Sequence, residues 1–409
     1  MDRPALTSLI SLTLLAAACG GEGLEPELEL EPATSPSDEG GELRQIAYQV
    51  VDGLAVSGGD MLLGTEAQLQ AAARGTGKAA HTSSGYAWWT ATWSNAIVPY
   101  EIGPGFSEAE IQNIRAAIDH WNDRTVYWLR PRSGEADYVH FDSDATHGCL
   151  GSVGKQWGRS SIYLAPDCRS RAIVIHEIGH TLGLGHEHAR RDRDQYVDVF
   201  RDNLWPQHRG VLDIDWSSDA FFEYDFDSIM HYSSRLFSRN GLRTMARKDG
   251  SDLPESTTLS PTDVAGATRL LYRGKTAYKI VNASSGKCLD VPAGSRASGA
   301  RIIQWDCHGA DNQRWTPFSP GWGSGFMLVN KGSGKCLDVP HANYENGAAL
   351  QQSDCRGQDN QRFYRYRGTI RNIQTGKCLD VTNYSRENGA QLIQYDCHGG
   401  ANQQFSLRG

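Results

Sequence analysis

The residues with the clearest chemical capacity lie in one run, His176 to Val197, HEIGHTLGLGHEHARRDRDQYV. An α-helix rises about 1.5 Å per residue with about 3.6 residues per turn, so His176 and His180 face the same way one turn apart and can grip one ion. Gly183, three residues further on, can take the left-handed conformation that ends a helix, and that turn swings His186 back toward the same ion. Three imidazoles leave a fourth position for water, which is the pattern of a catalytic zinc and not of a closed structural one. The expectation is one Zn2+ per chain, held by His176, His180 and His186. Glu177 stands beside the first ligand, a carboxylate placed to take a proton from a water that the metal has made acidic, and is the candidate general base for hydrolysis.

Downstream, Ser228 to Tyr232 reads SIMHY. The zinc string, continued by Glu187, Arg190, Asp192, Arg193, Asp194 and Tyr196, together with this second signature, resembles the astacin family of metzincin zinc endopeptidases over about Trp93–Tyr272. The resemblance implies an α+β protease domain with Met230 in a turn beneath the metal. It implies that Tyr232 binds zinc at rest and swings to stabilise the oxyanion, and that Ser160–Leu164 (SSIYL) is the edge strand that receives the substrate. The family's second disulfide has no cysteines here, and Val126 stands where one of them would fall. Val56–Met61 (VSGGDM) resembles the family's pro-segment motif, which implies that Asp60 occupies the water position and holds the enzyme latent. Glu187 would then meet the amino terminus freed by activation.

The elements that must position these groups are legible in outline. Ile111, Ile114, Ala117, Ile118 and Trp121 recur at three- and four-residue steps and predict an amphipathic helix over Glu108–Trp121. Trp88, Trp89, Trp93 and the strand-like Ile97–Tyr100 mark the start of a packed domain expected to span 86–273. Before it, Gln45–Gly64 reads as strands broken by Asp52, Gly53 and Gly58–Asp60, and Thr65–Gly85 has the Ala, Gly and Ser content of a linker. Residues 44–85 are therefore read as pro-segment and linker.

The C-terminal third repeats itself, with GKCLDV at Gly286, Gly334 and Gly376. Three units of about 45 residues cannot each bury a face alone and must share a core. The repeats resemble the ricin B-type lectin family, a β-trefoil, over 277–409. That resemblance implies sugar sites built from the aspartate of each CLDV, an aromatic two residues before the second cysteine, and an Asn-Gln pair. Unit one supplies Asp290, Trp305, Asn312 and Gln313, and unit three supplies Asp380, Tyr395, Asn402 and Gln403. Unit two keeps Asp338, Asn360 and Gln361 but has Ser353 in place of the ring, so its site should be weak or empty. The fold class expected is multidomain, an α+β metzincin protease followed by an all-β trefoil.

Nine cysteines make an odd count, and four pairs share a separation of nineteen: Cys149 with Cys168, Cys288 with Cys307, Cys336 with Cys355, and Cys378 with Cys397. Cys19 is left over. It follows an apolar run, residues 5–18, that is too short to span a bilayer but suits an export signal over 1–19. Ala16, Ala17 and Ala18 before it resemble a bacterial lipoprotein signal, which implies lipidation of Cys19; plain secretion with cleavage nearby is the alternative. Eight acids and no basic residue between Gly20 and Leu43 read as a solvated tether over 20–43, and they account for the net charge of −8. A body so near neutrality has no field with which to gather phosphates, so no nucleic-acid partner is expected. The reading is an exported peptidase, acting as a monomer on protein or peptide substrates and brought to a glycan ligand by its lectin domain. It touches membrane only through a lipid on Cys19, at the bacterial surface or outer membrane, or is secreted after processing. The alternative is a glycan-binding adhesin with an inert protease fold. A glycosidase would need paired carboxylates in a further domain, for which the chain has no room.

Overall fold

The computed structural model describes residues 28–29, 47–73, 92–93, 96–215, 222–272, 275–320 and 325–409. Cys19, the export signal, Trp88, Trp89, most of the linker and all of the acidic segment except Leu28–Glu29 lie outside the described residues. Among the described residues no helix is long and apolar enough to cross a membrane.

The protease half is a twisted sheet with helices packed against it. Ile97–Ile102 runs parallel to Trp128–Pro131 on one side and to Tyr138–Asp142 on the other, and Tyr138–Asp142 runs parallel to Arg159–Leu164. Cys149–Ser152 then closes this series antiparallel to Arg159–Leu164. The first long helix covers Glu108–Arg124, three residues beyond the predicted end, and starts in a capping box in which Ser107 and Glu110 satisfy each other's backbone amides. Its buried face carries Ile114, Ala117, Ile118 and Trp121. The second helix, Arg171–Leu182, is capped by Ser170 and ends at Gly183 with φ of 108°, the left-handed stop read from the sequence. Trp121 Nε1 donates to Ile175 O and Trp93 Nε1 to Thr181 O, each at 3.0 Å, which pins this helix from behind.

Two sequence readings require correction. Thr65–Gly85 is not uniformly linker, because Glu66–Ala73 is helical. Its residues, EAQLQAAA, are nearly all strong helix formers, and Thr65 and Gln68 cap it by reciprocal side-chain to amide bonds of 2.8 and 3.2 Å. Ser160–Leu164 is not an edge strand, since it lies between Tyr138–Asp142 and Cys149–Ser152. The outer protease strand on that side is Cys149–Ser152, and Met61–Thr65 of the pro-segment pairs parallel to it, with Met61 opposite Gly151 and Leu62 opposite Ser152.

The C-terminal half is a β-trefoil of twelve strands, four from each unit, running from Tyr278–Asn282 to Phe405–Arg408. Each unit gives equivalent residues to one core: Leu289, Leu337 and Leu379; Ile302, Leu350 and Leu392; Trp315, Phe363 and Phe405. That threefold layering explains why the units repeat, for none closes a core without the other two. All four disulfides form as spaced: Cys149–Cys168, Cys288–Cys307, Cys336–Cys355 and Cys378–Cys397.

The two halves share a packed interface. Phe318, Met327, Val329 and the Cys336–Cys355 bridge belong to the same apolar cluster as Val264, Ala267 and Leu271 of the helix Pro261–Tyr272. Arg269 of that helix donates to Lys331 O at 3.0 Å. The missing second disulfide is replaced by packing, with Val126 fully buried and the Tyr127 hydroxyl donating to Ala267 O at 3.4 Å.

Candidate metal centre and sugar sites

Helix periodicity places His176 and His180 with their Nε2 atoms 3.0 Å apart, and the turn at Gly183 brings in His186, as the spacing predicts. Asp60 completes the cluster, 2.8 Å from His186 Nε2 and 3.4 Å from the Nε2 atoms of His176 and His180. The ligand atoms of all four residues lie within 4.8 Å of one another. Ligands about 2.1 Å from a tetrahedral zinc stand about 3.4 Å apart, so this group has the dimensions of a first coordination sphere. His176 Nδ1 and His180 Nδ1 each lie 2.8 Å from a backbone carbonyl, Ile229 O and Leu184 O, which leaves the Nε2 lone pairs for an ion. Asp60 Oδ1 and His186 Nε2 are buried without a hydrogen-bond partner, an arrangement a cation relieves. The residues present therefore fit zinc.

With no cation in place, protons take up the charge. Burial pushes the Asp60 carboxyl up, but the His186 charge and hydrogen bonds from all three imidazoles outweigh it and hold the group well below the carboxylate range. Burial lowers the His176 imidazole while Asp60 raises it more, to about 9. Glu177 is raised well above its usual range, by burial first and then by the Asp60 charge. Glu177 is 1% exposed, and its Oε2 has no hydrogen-bond partner. Gly151 makes room for it: a Cβ there would stand 2.9 Å from Oε2 and 2.8 Å from Glu177 O.

The turn beneath the cluster is held from the C-terminal helix. Asp263, part of that helix's capping box with Ser260, accepts from the Ser228 hydroxyl at 2.6 Å and from Ile229 N at 2.9 Å. Met230 lies against Gly179, where a Cβ would meet its sulfur at 2.7 Å. The Tyr232 hydroxyl donates to Asp60 Oδ2 or to Gly58 O, each 2.9 Å away, and its ring stacks 4.0 Å from His188. Glu187 is buried, accepts from Arg190 at 2.6 Å and from Asp225 N at 2.8 Å, and is pushed up to about 7 by burial.

In the trefoil the sugar-site residues come together as expected. Asp290 Oδ2 accepts from Asn312 at 3.1 Å and Gln313 at 2.7 Å, and Asp380 accepts from Asn402 at 3.0 Å and Gln403 at 2.8 Å. Trp305 and Tyr395 stand beside them 42% and 40% exposed. Sequence reasoning missed His308 and His398, whose Nε2 atoms lie 3.3 Å from these aspartates. The signal was present, for a histidine follows the second cysteine in units one and three and Arg356 stands there in unit two. Unit two differs further. Gln351 donates to Asp338 Oδ1 at 2.9 Å where the other units carry Ile303 and Ile393, so its carboxylate is satisfied internally. Its disulfide and Lys335 are buried in the interdomain contact, whereas Cys307 is exposed and Lys287 and Lys377 are half-exposed. The unit without a stacking ring is the one that docks on the protease.

Residues 87–272 match the family model of the astacin peptidases, and residues 276–405 match that of the Ricin-type beta-trefoil lectin domain. Zinc metalloproteinase nas-6 of Caenorhabditis elegans is 32% identical over 197 residues, which is 46% of this chain and 56% of that protein. Tolloid-like protein 1 of Mus musculus is 35% identical over 204 residues, 47% of this chain and 20% of that protein. The chain thus spans about half, or less, of the length of these relatives. Among solved structures, High choriolytic enzyme 1, a hatching enzyme zinc-protease from Oryzias latipes, is 27% identical with a TM-score of 0.41 and covers 47% of this chain and 96% of its own. The designed protein ThreeFoil is 40% identical with a TM-score of 0.31, covering 32% of this chain and 98% of its own. Over residues 87–272 the chain belongs to the astacin family of zinc metalloendopeptidases, and over 276–405 it is a ricin-type β-trefoil lectin domain.

Proposed function

We propose that this chain is an exported zinc endopeptidase, made latent by its own pro-segment and brought to glycan-bearing targets by its lectin domain. The observation that carries the reading is the convergence of three imidazoles and one carboxylate on a single point beside a buried glutamate whose outer oxygen is unpartnered. His176, His180 and His186 hold zinc. Zinc bound there supplies a Lewis acid that polarises a peptide carbonyl and acidifies water. Glu177 takes the proton of the attacking water and returns it to the leaving amine. The Tyr232 hydroxyl, released from Asp60 and Gly58 when the pro-segment leaves, donates a hydrogen bond to the oxyanion. Cys149–Ser152, vacated by Met61–Thr65, offers its backbone to the extended substrate.

Asp60 is read as the latch, since its carboxylate fills the position that water needs. Glu187 is read as the acceptor for the amino terminus that cleavage exposes. The division into residues 1–19, 20–43, 44–85, 86–273 and 277–409, the lipid on Cys19, the extracytoplasmic location and a monomeric chain complete the proposal. Asp290, Trp305, Asn312 and Gln313, and Asp380, Tyr395, Asn402 and Gln403, are its sugar sites; Ser353 leaves unit two without one. The deciding experiment compares activated wild type with Glu177→Ala on a peptide library read by mass spectrometry, with zinc measured in both. Activity should fall by several orders of magnitude with about one zinc per chain retained, and chelation should silence the wild type. Cleavage unchanged in Glu177→Ala, or persisting without metal, would leave the adhesin reading.

A further inference from the structure

Unit three of the trefoil carries a residue that the other units lack. After each CLDV motif the chain makes a tight left-handed turn, with Ala293 at φ of 53° and Gly294 at 64° in unit one, and Asn383 at 53° and Tyr384 at 55° in unit three. The second position is glycine in unit one and Ala342 in unit two. Glycine is the residue that accepts a positive φ without strain, whereas a tyrosine there is held at a cost. Nor does burial compensate, because Tyr384 is 58% exposed. An aromatic kept in a strained backbone, out in water, is the kind of outlier that points to a ligand.

Its surroundings agree. The Tyr384 ring lies 5.7 Å from the His398 ring at 32°, and its hydroxyl stands 3.5 Å from His398 Nδ1. That nitrogen also accepts from Gly400 N at 3.1 Å, so it carries no proton and the Nε2–H is turned to Asp380. On another side of the same imidazole, 6.2 Å away, is the ring of Tyr395. Two exposed tyrosines therefore flank one histidine that is tied to the sugar-site aspartate. Asn402 is buried in this unit where Asn312 and Asn360 are half-exposed, and its Oδ1 has no hydrogen-bond partner. Unit one presents Trp305 alone, with Gly294 where the second ring would be.

We infer that unit three is an extended site for an oligosaccharide of two or more linked rings: one ring is held by Asp380 and stacked on Tyr395, and the next is stacked on Tyr384. Sugar rings present apolar C–H faces, and each aromatic surface accommodates one of them. Unit one is by the same reasoning a single-ring site. This inference rests on the lectin reading proposed above.

The test uses the full chain in a Trp305→Ala background, so that only unit three binds. Labelled protein is titrated on an array of galactose, N-acetylgalactosamine and xylose, each with its two- and three-ring oligomers. The two-ring probe of the preferred sugar should bind at least tenfold more tightly than the single ring. Tyr384→Ala should remove that advantage, about tenfold, the size of one stacking contact, while leaving single-ring affinity within twofold. Tyr384→Gly should act in the same way without lowering the melting temperature, because it relieves the positive φ; this separates loss of the platform from damage to the turn. Equal loss for one and two rings, or no loss, overturns the extended site while the lectin reading stands, provided that Tyr395→Ala abolishes binding. If the chain with Trp305 intact binds no sugar on the array, both fall.

Discussion

Gly58→Ala should open the latent enzyme without any cleavage. Gly58 has φ of 61°, and a Cβ built on it would stand 2.9 Å from His186 Nδ1 and 2.9 Å from Met61 Cε. Left-handed backbone costs an L-residue about 1–2 kcal/mol, and overpacking a site of this kind costs about 1–3 kcal/mol. His186 is buried and positioned by the cluster it belongs to, so the pro-segment is the partner that must give way. A destabilisation of about 2–4 kcal/mol raises the open population roughly 30- to 1000-fold at about 1.4 kcal/mol per tenfold. The assay is hydrolysis of a quenched fluorogenic peptide by the intact chain and by chain cleaved between Gly64 and Tyr86. Intact Gly58→Ala should gain at least tenfold over intact wild type, and the two cleaved forms should be equally active. Gly53→Ala is the control, since its φ of 80° carries similar strain with no heavy atom within 4 Å of the new Cβ. A Gly58→Ala chain as silent as wild type would refute the latch geometry. An equal gain in Gly53→Ala would show that hairpin stability, and not the contact at His186, sets latency.

Three further outcomes follow from particular contacts. Gly151→Ala should cut the turnover of the cleaved enzyme more than tenfold with zinc retained, because its Cβ would press on both Glu177 O and Oε2, whereas full activity would show that the base tolerates displacement. His120 is 3% exposed, and its ring nitrogens face the donors Arg171 Nη2 at 2.6 Å and Leu259 N at 3.1 Å; burial, then Arg124 and Arg171, lower it to about 4. With the folded pKa below the unfolded value, its contribution is intact above about pH 6.5 and is lost as pH falls toward about 4, up to about 3 kcal/mol, so thermal melts of His120→Gln should show a smaller drop between pH 7 and pH 5 than wild type; parallel curves would remove His120 as the cause. Gly334→Val should undock the lectin, since φ is 71° and the added Cβ would meet Phe222 Cζ at 3.0 Å and Ala265 O at 3.3 Å. Small-angle scattering should then report a larger radius of gyration with sugar binding unchanged, and an unaltered radius would show that the interface absorbs the side chain.

What the sequence by itself determined about this protein is what short-range geometry controls. The zinc ligands were legible because helix periodicity and one glycine turn set where His176, His180 and His186 point, whatever surrounds them. The trefoil and its three bridges were legible because a motif written three times constrains one shared core. The helix Glu66–Ala73 was local too, and its Thr65 and Gln68 cap was available to be read, but Gly and Ser content over a longer window obscured it. Tertiary structure alone decided the rest. Ser160–Leu164 and Cys149–Ser152 are both short strands with buried residues, and which of them forms the rim depends on the order in which distant segments pair, which period-two patterning does not encode. The same holds for Asp60, which reaches the histidines because Met61–Thr65 pairs with a strand nearly ninety residues away. Ser353 told of a missing ring in unit two, but only the packing of the Cys336–Cys355 bridge against the protease's last helix assigned that face another partner, since nonlocal burial is a property of the assembled chain.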